Sequence, residues 1–422
     1  MGGMADPASL LFTGVYDGGN YKIKGFWQNG NDSAVVGGLF GGIVGPDSAI
    51  KNVHLDNPEG VISGPIYVSS ICCILSLGTI SNCSNNIPLE ISESMWSSAL
   101  GINAIGGIVC MCEGSIDHCQ NNGNITGSDN SIYIGGIAAG FGSLMGASPE
   151  LLTVSNCVNT GNISASAEEL GGIIGYADYS NNFILNCRNT GNIVNSREDS
   201  YTFTSGIIAR FGSYDKIDSC VNNGDVTSTG GMAAGIVAYD SSNCLVSNCI
   251  NTGKITVLEC NEYSECAAGI FANPNNSDTV CSCVNTGDIS GYIAAGLCGY
   301  LYYTELSNCY TEGSITALDV NDDEEEARTR AGVFAQYANG DAIVKDNFTT
   351  KKTLVNGSAI TSDDLFGYEP SSSVSVLYSY LLNNGYEEEI KATEWSGDAT
   401  WKDSSKWILS SNKLPELILS SE

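Results

Sequence analysis

Positive charge is scarce in this 422-residue chain. Only 17 Lys and Arg stand against 47 Asp and Glu, so the formal net charge is −30. Such a chain repels phosphate backbones and anionic lipid headgroups, which argues against nucleic acid or an acidic membrane as a partner. Histidine is scarcer still, and His54 and His118 both fall at repeat positions near predicted strand corners. We expect these two side chains to be structural rather than catalytic.

Catalytic and metal-binding motifs are also lacking. No Cys-x-x-Cys, His-Glu-x-x-His or serine-nucleophile motif occurs. Two Cys-x-Cys pairs, Cys110 with Cys112 and Cys281 with Cys283, place thiols on one strand face but lack a partner pair or His. The acidic stretch 319–326 fails the EF-hand pattern, and we interpret it as a solvated loop. We therefore expect no metal, no cofactor and no catalytic residue.

Long apolar runs are missing except for the uncharged stretch 61–80, which has about the length of a membrane span. Ser and Gly occur throughout it, and it keeps the spacing that leads into Cys83, so we predict a buried coil without membrane insertion. The N-terminus lacks the basic-then-apolar pattern of a signal peptide. Any secretion signal has therefore been removed or was never present.

What the chain does contain is one short phrase repeated eight times between residues 81 and 313. The phrase has Cys, then Asn two residues later, usually Gly four residues later and an aliphatic residue six residues later. Its copies lie 26 to 38 residues apart, which is typical of a repeat array. The cysteines are Cys83, Cys119, Cys157, Cys187, Cys220, Cys249, Cys283 and Cys309. The asparagines are Asn85, Asn121, Asn159, Asn189, Asn222, Asn251 and Asn285, with Thr311 in the last copy.

A second phrase precedes most copies of the first, as in Gly135-Gly136-Ile137 and Ala234-Gly235-Ile236. Each period thus has three short aliphatic segments divided by Gly and Asn, too short for helices. With 50 Gly in the chain, a helical solenoid would be strongly destabilised, whereas short Ile, Val and Thr runs favour strands. The sequence predicts an all-β fold, a right-handed parallel β-helix with three strands per coil.

Stacked coils would place equivalent residues directly above one another. We predict an interior column of cysteines and a ladder of asparagine amides at a corner, where the following Gly permits the sharp turn. Neighbouring column cysteines would lie slightly too far apart for disulfides, so most thiols should be free. Local bridges remain open for three pairs off the column: Cys72 with Cys73, Cys260 with Cys266, and Cys244 with Cys249.

The array extends past the eight copies, with Val53 and Phe348 in the position of Cys. We predict about ten coils over residues 37–356, forming one rod. Residues 1–36 would cap its N-terminal end, and residues 357–422 would cap its C-terminal end, because a bare solenoid end exposes unpaired backbone.

The predicted C-terminal cap begins with Tyr378, Tyr380, Leu381 and Leu382, for which we predict a short helix. Strands are expected after it, in the part of the chain that contains Trp395, Trp401 and Trp407.

Three segments carry a family resemblance: the opening 12–23, with Phe-Thr-Gly-Val-Tyr-Asp-Gly-Gly-Asn-Tyr-Lys-Ile, the Gly-Gly-Leu-Phe-Gly segment 37–41, and the closing stretch 407–417. They resemble the ends of bacterial surface proteins with GLUG-type repeats. Such repeats are similar to those of secreted adhesin-like proteins and of the non-catalytic region of immunoglobulin-A-protease-like surface proteins. The resemblance implies a scaffold at the cell surface or outside the cell. The regular Cys departs from this family's pattern.

The residue after each Cys is predicted to point outward, and it forms a largely apolar row of candidate binding residues. The row consists of Val158, Arg188, Val221, Ile250, Val284 and Tyr310. Two other interpretations stay open: β-branched residues suit exposed strands, and the C-terminal segment could fold back over the row.

The favoured function is that of a non-catalytic, adhesin-like protein that binds a glycan, or a protein of a host or neighbouring cell, through its outer face and loops. The alternative is a polysaccharide-degrading β-helix enzyme, a lyase or glycoside hydrolase. Asp225 and Asp288 take equivalent outward positions, with Lys254 between them. Two coils of stacking would separate the carboxylates by about 10 Å, too far for a retaining pair and slightly beyond an inverting one.

Overall fold

The computed structural model describes a chain built of short strands stacked as a β-solenoid, with almost no helix. It describes residues 11–29, 36–91, 103–129, 131–141, 153–177, 181–259, 265–318, 330–350, 352–377, 380–382, 405–408 and 416–418. Parallel pairing joins equivalent strands of successive turns. The predicted all-β fold of parallel strands stacked as a solenoid is confirmed. Within the described residues, no helix is long or apolar enough to cross a bilayer.

Contacts divide the chain into two compact units, and each is a stack of turns. Unit 1 comprises residues 1–183 and 187–197, and unit 2 comprises residues 184–186 and 198–422. In each unit the strands belong to four parallel sheets. We name three sheets by their repeat positions: the Asn sheet begins just after Cys, the Ile sheet follows it, and the pre-Gly sheet leads into the Gly-Gly phrase. The long sheet contains both the strand after that phrase and the strand before Cys.

The strands of unit 1 follow this order from turn to turn. Those of the long sheet are Val15–Asp17, Phe40–Val44, Ala49–Lys51, Cys72–Ser81, Val109–Asp117, Ala138–Phe141, Thr153–Ser155 and Ile174–Ala177. Those of the Asn sheet are Lys22–Lys24, His54–Asp56, Ser84–Asn85, Gln120–Asn121, Val158–Asn159 and Arg188–Asn189. Those of the Ile sheet are Gln28–Asn29, Ile62–Gly64, Leu89–Ile91, Ile125–Thr126, Ile163–Ala165 and Ile193–Asn195. Those of the pre-Gly sheet are Val36–Gly37, Tyr67–Ser69, Ala104–Gly106, Ser131–Gly135 and Ala167–Gly171.

Unit 2 repeats the order. The long sheet has Ile208–Arg210, Lys216–Asp218, Val237–Tyr239, Leu245–Ser247, Phe271–Asn273, Thr279–Cys281, Cys298–Tyr302, Glu305–Ser307, Ala335–Asn339, Ile343–Lys345 and Ser375–Leu377. The Asn sheet has Val221–Asn222, Ile250–Asn251, Val284–Asn285, Tyr310–Thr311, Phe348–Thr350 and Tyr380–Leu382. The Ile sheet has Val226–Ser228, Ile255–Val257, Ile289–Gly291, Ser314–Ala317 and Leu354–Val355, and Ser358–Ala359 pairs antiparallel with the last of these. The pre-Gly sheet has Phe203–Ser205, Met232–Ala234, Cys266–Ala268, Ile293–Ala295 and Ala331–Gly332. The long-sheet strand Phe183–Leu185 has residues in both units, and Trp407–Ile408 pairs antiparallel with Glu416–Leu417.

A typical turn therefore has five short strands, and the prediction of three is wrong. The aliphatic segments are divided at two places that the sequence analysis treated as continuous. One is the Gly-Ile step, where the pre-Gly strand ends and the long sheet begins, as between Met232–Ala234 and Val237–Tyr239. The other is the residue before Cys, which separates Leu245–Ser247 from Ile250–Asn251.

The residue before Cys makes the corner, and it does so with a left-handed backbone. Its φ is 53° at Asn156, 55° at Asn248 and 53° at Asn308. Asn adopts this conformation more readily than most residues because its short amide can bond locally. Of the glycines four residues after Cys, only Gly313 has a positive φ among those described. The prediction that these glycines supply the corner's backbone conformation is therefore wrong for most copies.

The phrase glycines are required for close stacking instead. A Cβ placed on Gly253 would lie 2.0 Å from the carbonyl oxygen of Gly224 in the preceding turn, and one on Gly287 would lie 1.9 Å from that of Gly253. The glycine of the second phrase meets the ladder across the interior. A Cβ on Gly235 would lie 2.4 Å from the Cγ of Asn251. Glycine is therefore needed in both repeated phrases, because the interior has no room for a side chain at either position.

The asparagine ladder is present in both units. In unit 1, Asn85 Nδ2 donates to Asn121 Oδ1 at 2.9 Å, and the chain of donors continues through Asn159 to Asn189. In unit 2 it runs from Asn222 through Asn251 and Asn285 to the Thr311 hydroxyl. Each Nδ2 also donates to the carbonyl two residues onward, as Asn251 does to Gly253. These buried amides thus tie adjacent turns together and close each corner.

The cysteine column lies inside each unit, as predicted. The eight repeat cysteines are at most 1% exposed. Within each unit successive turns pair in register here, as when the Tyr310 N–H donates to the Cys283 carbonyl. The Cys283 thiol donates back to the Cys281 carbonyl at 3.3 Å. Burial raises the pKa of Cys157 and Cys283 well above that of an ordinary thiol.

The thiols are free, which confirms the prediction for most of them. None of the 16 described cysteines forms a disulfide, and this includes Cys72, Cys73, Cys244 and Cys249. Cys260, the predicted alternative partner of Cys266, lies outside the described residues.

The ends of the array differ from prediction in three ways. Phe348 pairs with Tyr310, so Asn347 and not Phe348 takes the place of Cys; its side chain donates to the Leu306 carbonyl. Residues 380–382 form a strand against Phe348–Thr350 rather than a helix, and the short helix is a 3-10 turn at Ser362–Leu365. Tyr378 lies outside the described residues.

The described part of the predicted N-terminal cap adds strands in register with the turns. Val15–Asp17 pairs with Ala49–Lys51, and Lys22–Lys24 pairs with His54–Asp56. Capping of the two ends and the number of coils stay predictions.

Candidate ligand-binding groove

The predicted outward row is only partly exposed. Arg188 is exposed, and Val158 and Ile250 are half-buried. Val221 is 7% exposed, Val284 1% and Tyr310 0%, so the prediction that these three point into solvent is wrong. The row is therefore not a continuous apolar stripe in unit 2.

Within unit 2, the C-terminal segment 405–408 lies beside this row. The buried Trp407 donates its indole N–H to Asn248 Oδ1 at 2.9 Å, and Lys406 lies 2.5 Å from Asp218 Oδ2. Asn248 and Asp218 stand just before the row residues Ile250 and Val221 in the chain. This agrees with the alternative interpretation, in which the C-terminal segment folds back over the row.

The remaining sequence candidates have structural contacts. His54 hydrogen-bonds Ser84 Oγ at 2.9 Å, and His118 bonds its neighbour Asp117 at 2.6 Å. Cys110 and Cys112 donate to the backbone carbonyls of Ala104 and Gly114. The acidic stretch 319–326 lies outside the described residues.

The carboxylates of the enzyme alternative bond to backbone. Asp225 Oδ1 accepts the Lys254 N–H of the next turn at 2.8 Å, and Asp288 Oδ1 accepts the Ser314 N–H at 2.8 Å. Asn162 does the same for Asn192 at 2.9 Å. An Asx side chain at this position therefore bridges turns.

Aromatic rings collect instead outside the Gly corner, where the pre-Gly strand meets the long sheet. In unit 1, Tyr133 and Tyr176 stack with ring centroids 4.8 Å apart and planes 8° apart. Tyr67 and Tyr133 pack on a small apolar cluster that contains Ala104, Met111 and Ala139. The three tyrosines are half-buried, so each ring has a packed face or edge and a part open to solvent.

Unit 2 repeats the arrangement and adds a cation. Phe203 and Tyr239 stack at 4.9 Å, and the Arg210 guanidinium carbon lies 5.9 Å and 5.7 Å from the two ring centroids. Both distances are within the usual cation–π range. The rings pack on a cluster made largely of small residues, which include Ala234 and Ala268 of the pre-Gly sheet.

Further along unit 2, Arg330 lies over the Tyr292 ring, 3.5 Å from its centroid. An open cavity of about 210 Å³ follows, and its lining is formed by Ile293, Tyr300, Gln336, Tyr337 and Tyr368. The Tyr337 and Tyr368 rings meet edge to face at 6.4 Å. We call this set of rings, from Phe203 to Tyr368, the aromatic groove of unit 2.

Sequence reasoning missed this groove, although a signal is present. An aromatic stands four residues after the second Gly of the phrase at Tyr176, Tyr239 and Tyr300. In the strand after the Gly corner, register stacks this position in successive turns, as for Arg210 with Tyr239. Tyr300 pairs instead with Tyr337, which stands five residues after Gly332. The signal recurs in only some repeats, so it is weaker than that of Cys and Asn.

No protein-family model matches the chain, and no curated protein matches it significantly in sequence.

Proposed function

We propose that this protein is a non-catalytic, adhesin-like β-solenoid of the cell surface or extracellular space that binds a neutral glycan through the aromatic groove of unit 2. The observation that carries the proposal is the half-exposed Tyr239 ring, which stacks on the buried Phe203 ring beside Arg210. The GLUG-type resemblance of the sequence agrees with such a scaffold.

The chemistry of the groove suits a carbohydrate. A pyranose presents C–H bonds from its ring face, and these pack against the negative face of an aromatic ring. The half-buried Arg210 carries N–H donors beside the rings that suit sugar hydroxyls. Stacked turns repeat the platform at the strand spacing of about 4.8 Å, which suits a polymer with a regular repeat. The net charge of −30 disfavours polyanionic glycans.

The non-catalytic part of the proposal rests on the carboxylates. Asp225 and Asp288, the candidates for glycoside or lyase chemistry, each accept a backbone N–H from the next turn. Each bond joins two adjacent turns, so these carboxylates have a structural role. The rings of the groove lie on other strands.

The test is binding to a glycan array that carries neutral and acidic polysaccharides, followed by titration of the best neutral ligand. Tyr239→Ala and Tyr300→Ala should each weaken binding about 10-fold or more, because each removes a ring platform. Tyr21→Ala is the control, since this ring is 78% exposed and leads into a strand of the Asn sheet in unit 1.

Full-strength binding by the folded Tyr239→Ala and Tyr300→Ala variants would reject the groove as the site. The same polysaccharides should be assayed for cleavage. Cleavage that disappears in Asp225→Asn or Asp288→Asn would establish the enzyme alternative.

A further inference from the structure

Unit 2 contains a buried cluster of two carboxyls and a thiol: Asp240, Cys244 and Asp278. Asp240 follows the strand Val237–Tyr239, and Cys244 precedes Leu245–Ser247 in the same turn. Asp278 takes the position of Cys244 one turn later, where the Thr279 N–H donates to the Cys244 carbonyl at 2.9 Å. The three groups thus come from the same loop in two adjacent turns.

The three side chains converge on one point inside the unit. Their potential ligand atoms, one oxygen from each carboxyl and the sulfur, all lie within 4.8 Å of one another. Asp240 is 0% exposed, Asp278 1% and Cys244 2%. Tetrahedral coordination at ordinary zinc–ligand distances needs ligand atoms about 3.3 to 3.7 Å apart, which small rotamer changes would produce.

The carboxyl of Asp240 provides the decisive observation. Among the described residues, neither of its oxygens makes a hydrogen bond of good geometry, although the Asp278 carboxyl, the Cys244 thiol and the Asn275 N–H lie near it. Its neighbours differ: Asp278 accepts the backbone N–H groups of Cys244 and Asn275, and Asp215 accepts that of Gly212. A buried carboxylate without a partner is costly, and here it faces a second acid.

The three acidic groups of the cluster have raised pKa values, and among the described residues no positive charge stands beside them to lower these values. Burial, followed by the charge of Asp278, raises the pKa of Asp240 to about 10. Burial also raises the pKa of Asp278, and burial and the charge of Asp240 raise that of Cys244. Each group would ionise more easily if a cation stood among them.

We infer that Asp240, Cys244 and Asp278 bind one divalent transition-metal ion of the zinc class. A thiolate together with carboxylates suits zinc and its chemical relatives, whereas calcium and magnesium prefer sites made only of oxygen ligands. The ion would satisfy both oxygens of Asp240 and join two adjacent turns. The role is structural, because all three groups are buried.

The sign of the pH dependence follows from the donors. The Cys244 thiol and the carboxyl of Asp240 must lose their protons to coordinate the ion, so binding releases protons and strengthens as pH rises.

The test uses the full chain, freed of metal with a chelator and confirmed as folded by circular dichroism. Titration with Co²⁺ should give a thiolate-to-cobalt charge-transfer band that saturates at one equivalent per chain and disappears when Zn²⁺ is added. Zn²⁺ should also raise the melting temperature relative to chelator. Cys244→Ser should lose the band, and Asp240→Asn should weaken Co²⁺ binding at least 10-fold.

Two matched variants control for chemistry elsewhere in the molecule. Cys110→Ser removes a buried thiol of unit 1, and Asp225→Asn removes an exposed carboxylate of unit 2; both should keep the cobalt band. The wild-type protein alone decides the matter if a variant fails to fold. Absence of the charge-transfer band together with an unchanged melting temperature in Zn²⁺ would overturn the site and leave Asp240 as a buried neutral acid.

Discussion

The Lys406 ammonium lies 2.5 Å from the Asp218 carboxylate, 188 residues earlier in the chain. Ser247 and Asn248 donate to the other oxygen of the same carboxylate at 2.7 Å each, and Asn248 in turn accepts the Trp407 indole N–H. Two consecutive residues of the C-terminal segment are thus bonded to side chains that stand just before Cys220 and Cys249 in the chain. Asp218 is the shared acceptor of this network.

Acid should release the C-terminal segment. Burial by itself would raise the pKa of Asp218, but the hydrogen bonds from Lys406, Ser247 and Asn248 outweigh it and hold that pKa below its ordinary value. A lowered carboxyl pKa contributes stability that is present above the unfolded value of about 3.9 and lost as pH falls through the folded one. We expect acrylamide quenching of Trp407 to rise below about pH 4, measured in a variant whose other four tryptophans are Phe.

In Asp218→Asn, the same quenching should be high at neutral pH and should vary little with acid. Quenching of Trp407 that stays low down to pH 2 would contradict the role of the Lys406 contact.

Breaking the asparagine ladder should destabilise unit 2. Asn251→Ala removes the ladder acceptor of the buried Asn222 Nδ2 and the amide that bonds the Gly253 carbonyl. It also leaves the buried Oδ1 of Asn285 with only the Gly287 N–H, at 3.3 Å. Stranded buried polar groups cost about 1 to 3 kcal/mol each, so we expect a loss of at least about 2 kcal/mol in the free energy of unfolding. Urea denaturation followed by circular dichroism measures it.

Thr252→Ala is the matched control for the ladder, because Thr252 is adjacent and exposed. It should change stability by no more than about 0.5 kcal/mol. Equal effects of the two substitutions would show that the ladder contributes no more than an exposed side chain.

A methyl group at a stacking glycine should separate the turns. Gly253→Ala puts a Cβ 2.0 Å from the Gly224 carbonyl oxygen, and backbone on both sides limits relaxation. We expect a loss of at least about 2 kcal/mol, measured by thermal unfolding. Gly41→Ala is the control, since no atom lies within 4 Å of the added Cβ and its φ is not positive. If the Gly253→Ala variant were as stable as wild type, close stacking would not require glycine at this position.

The cysteines should titrate as free thiols that are hidden in the native state. Of the 16 described thiols, 15 are buried and Cys281 is half-buried. We expect slow reaction with an aromatic disulfide reagent in native buffer, and at least 16 reactive thiols per chain in denaturant without reductant. Fewer than 16 would indicate disulfides that the structure does not contain.

Parts of the structure could be predicted because the repeat imposes them. Asn121 and Asn159 hydrogen-bond each other because one spacing places both in the same register, and a period is visible in any single chain. Tyr310 follows Cys309 in the repeat, yet it is completely buried. Exposure at that position depends on what packs over the turn, and the repeat does not encode it.

The groove and the Asp240 cluster were missed for related reasons. Tyr239 and Tyr300 recur too irregularly to stand out beside Cys and Asn. Asp240, Cys244 and Asp278 share no motif, because they come from loops 34 residues apart that stacking brings together. The pattern of charge and hydropathy along the chain does not predict which side chains of adjacent turns come into contact.

The stacked β architecture, the buried thiols and the amide ladder follow from the repeat in the sequence, because a regular period puts like residues in like positions at each turn. The tertiary structure decided where the corners bend, why the glycines are needed, which outward residues are covered and which acids meet. Those outcomes depend on contacts between segments far apart in the chain, such as Lys406 with Asp218, and on clearances of a few ångströms that no local pattern specifies.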